Sequence, residues 1–200
     1  MEPDSLYHAG ARQLQDRFDT RRLADRIAER LGRRTLNDDD QAFIAAQALF
    51  LLASADARGR PECSYKGGRP GFVGILDASH LLFPSYDGNG MFRSLGNLLV
   101  NPQVGLLFID FASGRRLRVQ GRATIDLDDP LRGDFDGAQC VVRVAVDEVF
   151  PNCPRYVHPM QRSSVSEFAP RPGHVPPVPA WKRFEMFRDV LAADDPAREG

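Results

Sequence analysis

The stretch that decides the fold, residues 85–111, reads SYDGNGMFRSLGNLLVNPQVGLLFIDF. It places a polar, glycine-rich loop first, a short amphipathic segment next and a buried strand last. The apolar side chains of the segment share one helical face: Met91, Leu95, Leu98 and Leu99. The pair Asn101-Pro102 ends this pattern, because the residue before a proline disfavours helical backbone. We therefore predict a helix that connects two strands.

Short apolar or alternating runs surround this stretch and are separated by glycine, proline and aspartate. They are LFLLASAD (49–56), PECSYK, GFVGIL, HLLFPS, VGLLFIDF and RRLRVQGRATIDL. The runs predict about five to seven strands, and most of them have no long helix in between. This spacing favours a mainly β fold, an antiparallel barrel, over a doubly wound parallel sheet.

Two helices are predicted before the first strand. Leu23, Ile27 and Leu31 recur at helical spacing among charged residues, and Gly32 ends this amphipathic pattern. Asn37, followed by three aspartates, is typical of the N-cap and acidic first turn of a second helix. The apolar stripe of the region 8–32 requires burial, either in a dimer or over a pocket.

The composition fits one compact domain with a sizeable core. The chain has 200 residues, 42% of them hydrophobic, and a formal net charge of -1. The 26 basic and 27 acidic residues give no global basic field, which argues against nucleic acid as a partner. No run approaches the ~18 apolar residues of a membrane span, and the charged N-terminus is unlike a secretory signal. We expect a cytoplasmic protein without a membrane partner.

Motifs for metals, disulfides and nucleophilic catalysis are absent from the sequence. Three widely spaced cysteines predict reduced thiols: Cys63, Cys140 and Cys153. Four histidines lack metal-ligand pairing, so no metal is expected: His8, His80, His158 and His174. There is no GxxxxGK[ST] or G-x-S-x-G motif, and Gly88-x-Gly90 lacks the rest of a dinucleotide fingerprint. An activated thiolate at Cys153 is less favoured than an inert cysteine.

The glycine-rich loop has the composition of an anion site. Residues 87–90, Asp-Gly-Asn-Gly, precede a helix whose free N–H groups and positive dipole end favour phosphate. Arg93 and Ser94 lie in the first turn and supply a guanidinium fork and a hydroxyl. The alternative is a glycine turn before a surface helix with a solvated Arg93.

Two further patches are basic. In RRLRVQGRATI, Leu117 and Val119 share one face of a strand. The opposite face is polar: Arg116, Arg118, Gln120 and Arg122. An exposed sheet face explains this alternation equally. The second patch surrounds Gly67-Gly68 and contains Ser64, Lys66 and Arg69. Together with the helix N-terminus, these patches suggest a phosphorylated cofactor.

The segments FPSYDGNGMFRSLGNLLVNPQVGLLFIDF and LRVQGRATI resemble the pyridoxamine 5'-phosphate oxidase-like family of FMN-binding split barrels, especially its flavin-nucleotide-binding branch. VDEVFPNCPRYVH and PAWKR are also similar, so roughly two thirds of the chain is covered. The resemblance implies a six-stranded antiparallel split barrel with peripheral helices, and a homodimer with FMN at the subunit interface. We expect a helical extension at 1–36, the barrel at 37–165, and a proline-rich strap and helix at 166–200 that pack on it.

The resemblance also assigns candidate cofactor-binding residues. Arg93 and Ser94 would hold the FMN phosphate, while Pro84, Ser85 and Asn89 would lie along the ribityl chain or the phosphate. Four residues would face the isoalloxazine ring: Ser64, Lys66, Gly67 and Arg69. Three would reach the flavin across the dimer cleft: Arg116, Arg118 and Gln120. Trp181 resembles a tryptophan that the C-terminal segment of the oxidase contributes from the partner chain.

Departures from the oxidases themselves make pyridoxal phosphate synthesis doubtful. Ser94 stands where they carry a lysine, and WKRFEMFRDV lacks their arginine-x-histidine pair. The expectation is an FMN-dependent oxidoreductase of different substrate, reduced by NAD(P)H or a small molecule, with Lys66 or Arg116 stabilising the anionic reduced flavin. A carrier or redox sensor without turnover is one alternative. A haem or deazaflavin protein is another, with His80 or His158 as the haem ligand.

Overall fold

One antiparallel sheet forms the body of the protein, and a computed structural model describes residues 6–199. The strands are β1 (Leu49–Ala55), β2 (Pro61–Gly67), β3 (Gly74–Asp77), β4 (His80–Tyr86), β5 (Gln103–Ile109), β6 (Arg116–Asp126) and β7 (Ala138–Asn152). Their order is β2-β1-β5-β6-β7-β4-β3, and all pairings are antiparallel. The mainly β fold with flanking helices is confirmed.

The strand number differs from the six that the resemblance implied. The sheet has seven strands, because the four-residue β3 forms a hairpin with β4 and extends the sheet by one edge strand. Within residues 6–199, the edge strands β2 and β3 pair with no strand on their outer sides. The sheet is therefore open in this chain.

Alternation along the strands builds the core. Phe50 is fully buried and contacts the rings of Phe72, Phe83 and Phe108 at centroid distances of 5.8, 5.0 and 5.3 Å. On β6, every second residue from Leu117 onward is buried, as the sequence predicted. Such aromatic clusters stabilise a core through both apolar burial and ring contacts.

The long strands β6 and β7 bend at one glycine. Their register shifts between Gln120 and Gly121, which marks a β-bulge. A Cβ at Gly121 would lie 2.1 Å from the Ala145 carbonyl oxygen, so no side chain fits there. Glycine at this position therefore allows the two backbones to approach closely.

Three helices precede the sheet: α1 (Ala9–Arg17), α2 (Arg21–Leu31) and α3 (Asp38–Ala45). The predicted region 8–32 is thus two helices, because the backbone turns at Asp19, whose φ is 52°. α2 ends before Gly32, and Asn37 caps α3 in a capping box with Asp40, both as predicted. The stripe of α2 remains exposed, at 60% for Leu23, and lines no part of the cavity described below.

The predicted connecting helix is α4 (Arg93–Val100), which ends at Asn101 before the proline. Leu95 and Leu98 are buried against the sheet, whereas Met91 and Leu99 are 61% and 76% exposed. The predicted apolar face was therefore half wrong. Met91 lies before the helix begins, and Leu99 is rotated by about 100° from Leu98 toward solvent.

After β7, the chain returns along the sheet as a strap with little regular structure. It contains a 3-10 turn at Ala180–Arg183, the short helix α5 (Glu185–Arg188) and a last 3-10 turn at Pro196–Glu199. Between residues 6 and 199, no helix is long and apolar enough to span a membrane.

Candidate functional site

A cavity of about 1010 Å³ opens between the sheet and the C-terminal strap. Its sheet side is formed by β2, the end of β4 and the loop 87–92, which leads into α4. Its strap side is formed by residues 175–179 and by residues between 181 and 196. The volume is at the upper end of the roughly 300–1,000 Å³ that small-molecule sites occupy. The glycine-rich loop therefore borders a space large enough for a nucleotide-sized ligand.

The polar floor of the cavity comes from β2. Alternation along the strand turns Glu62, Ser64 and Lys66 toward the cavity and leaves Cys63 and Tyr65 exposed on the other side. Burial lowers the pKa of Lys66, and the nearby Glu62 carboxylate opposes that shift. The Lys66 ammonium is thus partly removed from water, where its interaction with an anion is stronger.

The loop before α4 leaves space and backbone donors at the cavity. Gly88 and Gly90 have no heavy atom within 4 Å of where a Cβ would lie, and Gly90 has a φ of 72°. Phe92, just before α4, is also left-handed, with a φ of 47°. No side chain of the described residues caps α4, so the N–H groups of its first turn are available to a ligand. Strained backbone of this kind is concentrated at functional sites.

Arg93, the first residue of α4, forms an ion pair with Glu62 at the cavity wall. Arg93 Nη2 donates to Glu62 Oε2 over 2.6 Å. The Glu62 side chain is 21% exposed and the Arg93 side chain 62% exposed, so the arginine is the more solvated partner. Ser94 is buried beside it and lines the same wall.

Lys182 joins the strap to the glycine-rich loop. Its Nζ lies 2.6 Å from Asp87 Oδ2 and 2.7 Å from Asp195 Oδ2, and its side chain is 4% exposed. Desolvation opposes the charged form, but the hydrogen bonds to Asp195 and Asp87 outweigh it and raise the pKa of Lys182. The hydrogen bond from Lys182, followed by the backbone N–H of Ala197, lowers the pKa of Asp195. This ion cluster holds the strap over the cavity.

The strap side of the cavity is largely apolar. Prolines and aromatic rings form much of it: Phe168, Pro170, Pro176, Pro177, Pro179, Trp181 and Phe187. The ring of Trp181 packs edge-on against Phe187, with centroids 5.7 Å apart. Trp181 is the only tryptophan of the chain, so intrinsic fluorescence reports directly on this wall.

We expect the strap to stay closed from weakly acidic to alkaline pH and to open in acid. The lowered pKa of Asp195 stabilises the closed strap above its ordinary value of 3.8, and this contribution is lost as the pH falls through the lower folded value. The raised pKa of Lys182 contributes below its ordinary 10.5 and is lost only as the pH rises through the higher folded value. Trp181 emission should therefore be constant from about pH 5 to pH 9 and shift to the red below about pH 4. Unchanged far-ultraviolet circular dichroism would separate strap release from unfolding, and a midpoint near neutrality would contradict the assignment.

The structure brings seven of the predicted cofactor-binding residues to this one cavity. They are Ser64, Lys66, Ser85, Asn89, Arg93, Ser94 and Trp181. Pro84 is buried in β4 directly before Ser85, and Gly67 ends β2 directly after Lys66. Arg69 lies instead at a separate, smaller depression, together with Asp134, Asp136 and Arg171. Cofactor binding by all of these residues stays a prediction.

The polar face of β6 lies outside the cavity of this chain. Arg116 donates a hydrogen bond to the carbonyl oxygen of Cys153, and Arg118 stacks over the Phe150 ring at 5.6 Å. Gln120 is exposed on the same face. Period-2 alternation opposite the buried Leu117 places all three there. Their predicted role across a dimer cleft requires a second chain and stays a prediction.

Sequence reasoning missed Glu62, Lys182 and Asp195 as residues of the site. Glu62 had a usable signal, because it shares the period-2 face of Ser64 and Lys66. Lys182 and Asp195 had none, because their partners are brought together only by the fold: Lys182 and Asp87 are 95 residues apart.

Solved structures of other proteins have a related fold. A candidate pyridoxamine 5'-phosphate oxidase from Lactobacillus delbrueckii is 25% identical, with 59% of this chain and 95% of that chain covered and a TM-score of 0.48. HupZ from Group A Streptococcus is 19% identical, with coverages of 58% and 93% and a TM-score of 0.47. HutZ, the haem storage protein from Vibrio cholerae, is 23% identical, with coverages of 57% and 93% and a TM-score of 0.40.

A search of curated proteins finds no match. The sequence model described as pyridoxamine 5'-phosphate oxidase matches residues 36–153, which include α3, all seven strands and α4. The match begins just before the capped helix α3 and contains both the glycine-rich loop and the polar face of β2. It covers more than half of the chain and confirms the resemblance seen in the sequence, so the chain belongs to the pyridoxamine 5'-phosphate oxidase family.

Proposed function

We propose that the protein binds FMN in the cavity between the sheet and the strap, and that it is an FMN-dependent oxidoreductase. One observation carries the proposal. Arg93 and the uncapped N-terminus of α4 lie at the wall of a cavity whose floor contains the partly buried Lys66. A phosphate at α4 and an electron-rich ring near Lys66 match this arrangement of positive groups.

The residues of the cavity fit FMN in size and in polarity. The space above Gly88 and Gly90 admits a phosphate close to the backbone. Ser64, Ser85 and Asn89 offer hydroxyl and amide groups to a polyhydroxylated chain. The apolar strap, including Trp181, offers a surface for one face of a flat ring.

In this proposal the chain binds and orients the cofactor and tunes its charge. Bound FMN would supply the two-electron redox chemistry. Arg93 and the N–H groups of α4 would hold the phosphate, and Lys66 would stabilise negative charge on the ring. The strap, fastened by Lys182, would limit the access of water. A homodimer in which Arg116 of one protomer reaches the flavin of its partner is part of the proposal.

A flavin carrier or redox sensor is the second candidate function. The three carboxylates that line the cavity are all engaged in ion pairs: Glu62, Asp87 and Asp195. A carboxylate held by a cation is poorly suited to accept a proton from a substrate, because the pairing favours its charged form. This observation favours binding without substrate turnover.

A histidine-ligated haem is less well supported. Haem iron requires an axial ligand inside the pocket. Within residues 6–199, none of the four histidines lines the cavity. His80 is exposed at the start of β4 and pairs with Asp77 through Nδ1 at 3.0 Å, and His158 is exposed in the strap.

The test is the absorbance spectrum of the purified protein, titrated with FMN and then treated anaerobically with NADPH. We expect FMN to bind with perturbed flavin bands, which NADPH bleaches and oxygen restores over repeated cycles. Flavin that binds but resists reduction by NADPH and NADH would favour the carrier or sensor. A protein that binds no FMN, or shows a Soret band with haem, would overturn the proposal.

A further inference from the structure

We infer that Glu62 is a built-in competitor for the phosphate position at Arg93, and that it sets the preference of the cavity between phosphorylated and unphosphorylated flavins. The inference rests on the proposed function and names a specificity-determining residue within it. The geometry points to this role because a carboxylate already occupies the guanidinium to which a ligand phosphate would bind.

The contact between the two side chains is direct and comes from separate elements. Arg93 Nη2 donates to Glu62 Oε2 over 2.6 Å, and 31 residues separate the partners. Glu62 lies on β2, where its backbone pairs with Ser54 of β1 and fixes its position. Arg93 begins α4 and is the more exposed of the two side chains. The carboxylate is therefore the fixed partner, and the guanidinium is the one free to move.

The charges around the cavity explain why this competition matters. Three cations and three carboxylates line it: Lys66, Arg93, Lys182, Glu62, Asp87 and Asp195. Lys182 is already bound to both aspartates, so it has no free charge for a ligand. Only Arg93 and Lys66 remain for an anion, and Glu62 acts on both of them. A phosphate dianion entering here must take Arg93 from Glu62 and stay close to its negative charge.

The exchange is feasible because the ion pair is weak. A pair with one largely exposed partner contributes little to stability, since water screens it and two side chains must be ordered. A phosphate offers a guanidinium two parallel hydrogen bonds and more charge than a carboxylate does. Glu62 therefore lowers the affinity for a phosphate without preventing its binding. It has no such effect on a neutral ligand.

The experiment compares the dissociation constants of FMN and riboflavin, measured by flavin fluorescence quenching, for the wild type, Glu62→Gln and Glu62→Ala. Both variants should bind FMN about tenfold more tightly and riboflavin within about twofold of the wild type, because only the charge repulsion is removed. Inorganic phosphate should compete with FMN more effectively in both variants. Glu29→Gln, an exposed substitution on α2, is the control and should leave both constants unchanged.

The outcomes separate this inference from the proposed function. FMN binding by the wild type with an unchanged FMN-to-riboflavin ratio in both variants would overturn the role of Glu62 alone. Weaker FMN binding in the variants would also overturn it, since Glu62 would then position Arg93 for the phosphate. A failure of the wild type and of both variants to bind FMN would overturn the proposed function and this inference with it.

Discussion

Replacing Lys182 by methionine is expected to lower the free energy that keeps the strap closed by about 3 kcal/mol. The variant leaves Asp87 and Asp195 side by side without their shared cation. Asp87 is 57% exposed and can turn to water, but the Asp195 side chain is only 10% exposed and loses its main partner. Removing one member of such a buried cluster costs more than the cluster contributes, because a desolvated charge is left behind.

The effect should be local to the strap. The strap has few backbone hydrogen bonds to the sheet, so it opens as a unit of low stability while the strand pairs remain intact. In the variant, we expect Trp181 emission to shift to the red and amide exchange across residues 168–196 to accelerate by about two orders of magnitude. Exchange in β6 and β7 should not change.

Two further variants make this prediction specific to the ion cluster. Arg183→Met removes the neighbouring exposed cation and should leave both readouts unchanged. Lys182→Met combined with Asp195→Leu should recover part of the loss, because an apolar pair replaces the unpaired charge. A single Lys182→Met variant with wild-type exchange in the strap would show that the cluster does not hold it closed.

The sequence was informative wherever local pattern determines local structure. The period-2 runs located the strands, and the pair Asn101-Pro102 located the end of α4, because backbone periodicity and proline geometry act over a few residues. The loop before Arg93 was found for the same reason, since glycines followed by a helix start are adjacent in the chain. These features needed no knowledge of tertiary packing.

The remainder of the site depends on contacts between distant segments. No local signal links Lys182 to Asp87, and Glu62 became noticeable only when its partner Arg93 was known. The predicted burial of the α2 stripe shows the opposite limit, because its amphipathic pattern is real but Leu23 remains exposed in a single chain. A sequence pattern gives the need for a partner and leaves its identity open.

Replacing Arg93 by alanine is expected to weaken FMN binding by about 100-fold and to leave riboflavin binding within about twofold of the wild type. The variant removes the guanidinium that would donate charge-assisted hydrogen bonds to the phosphate. It retains the N–H groups and dipole of α4, so FMN binding is weakened but not abolished. The freed carboxylate of Glu62 adds to the loss, because it then faces the phosphate without its partner.

A double-mutant cycle tests the two residues as one unit. Arg93→Ala combined with Glu62→Gln should bind FMN more tightly than Arg93→Ala alone, since the unpaired negative charge is gone. Arg26→Ala, an exposed substitution on α2, is the matched control and should leave the FMN dissociation constant unchanged. Equal losses for FMN and riboflavin in Arg93→Ala would mean that Arg93 supports the shape of the loop rather than the phosphate. An unchanged FMN constant would place the phosphate elsewhere in the cavity, with Lys66 as the remaining cation able to hold it.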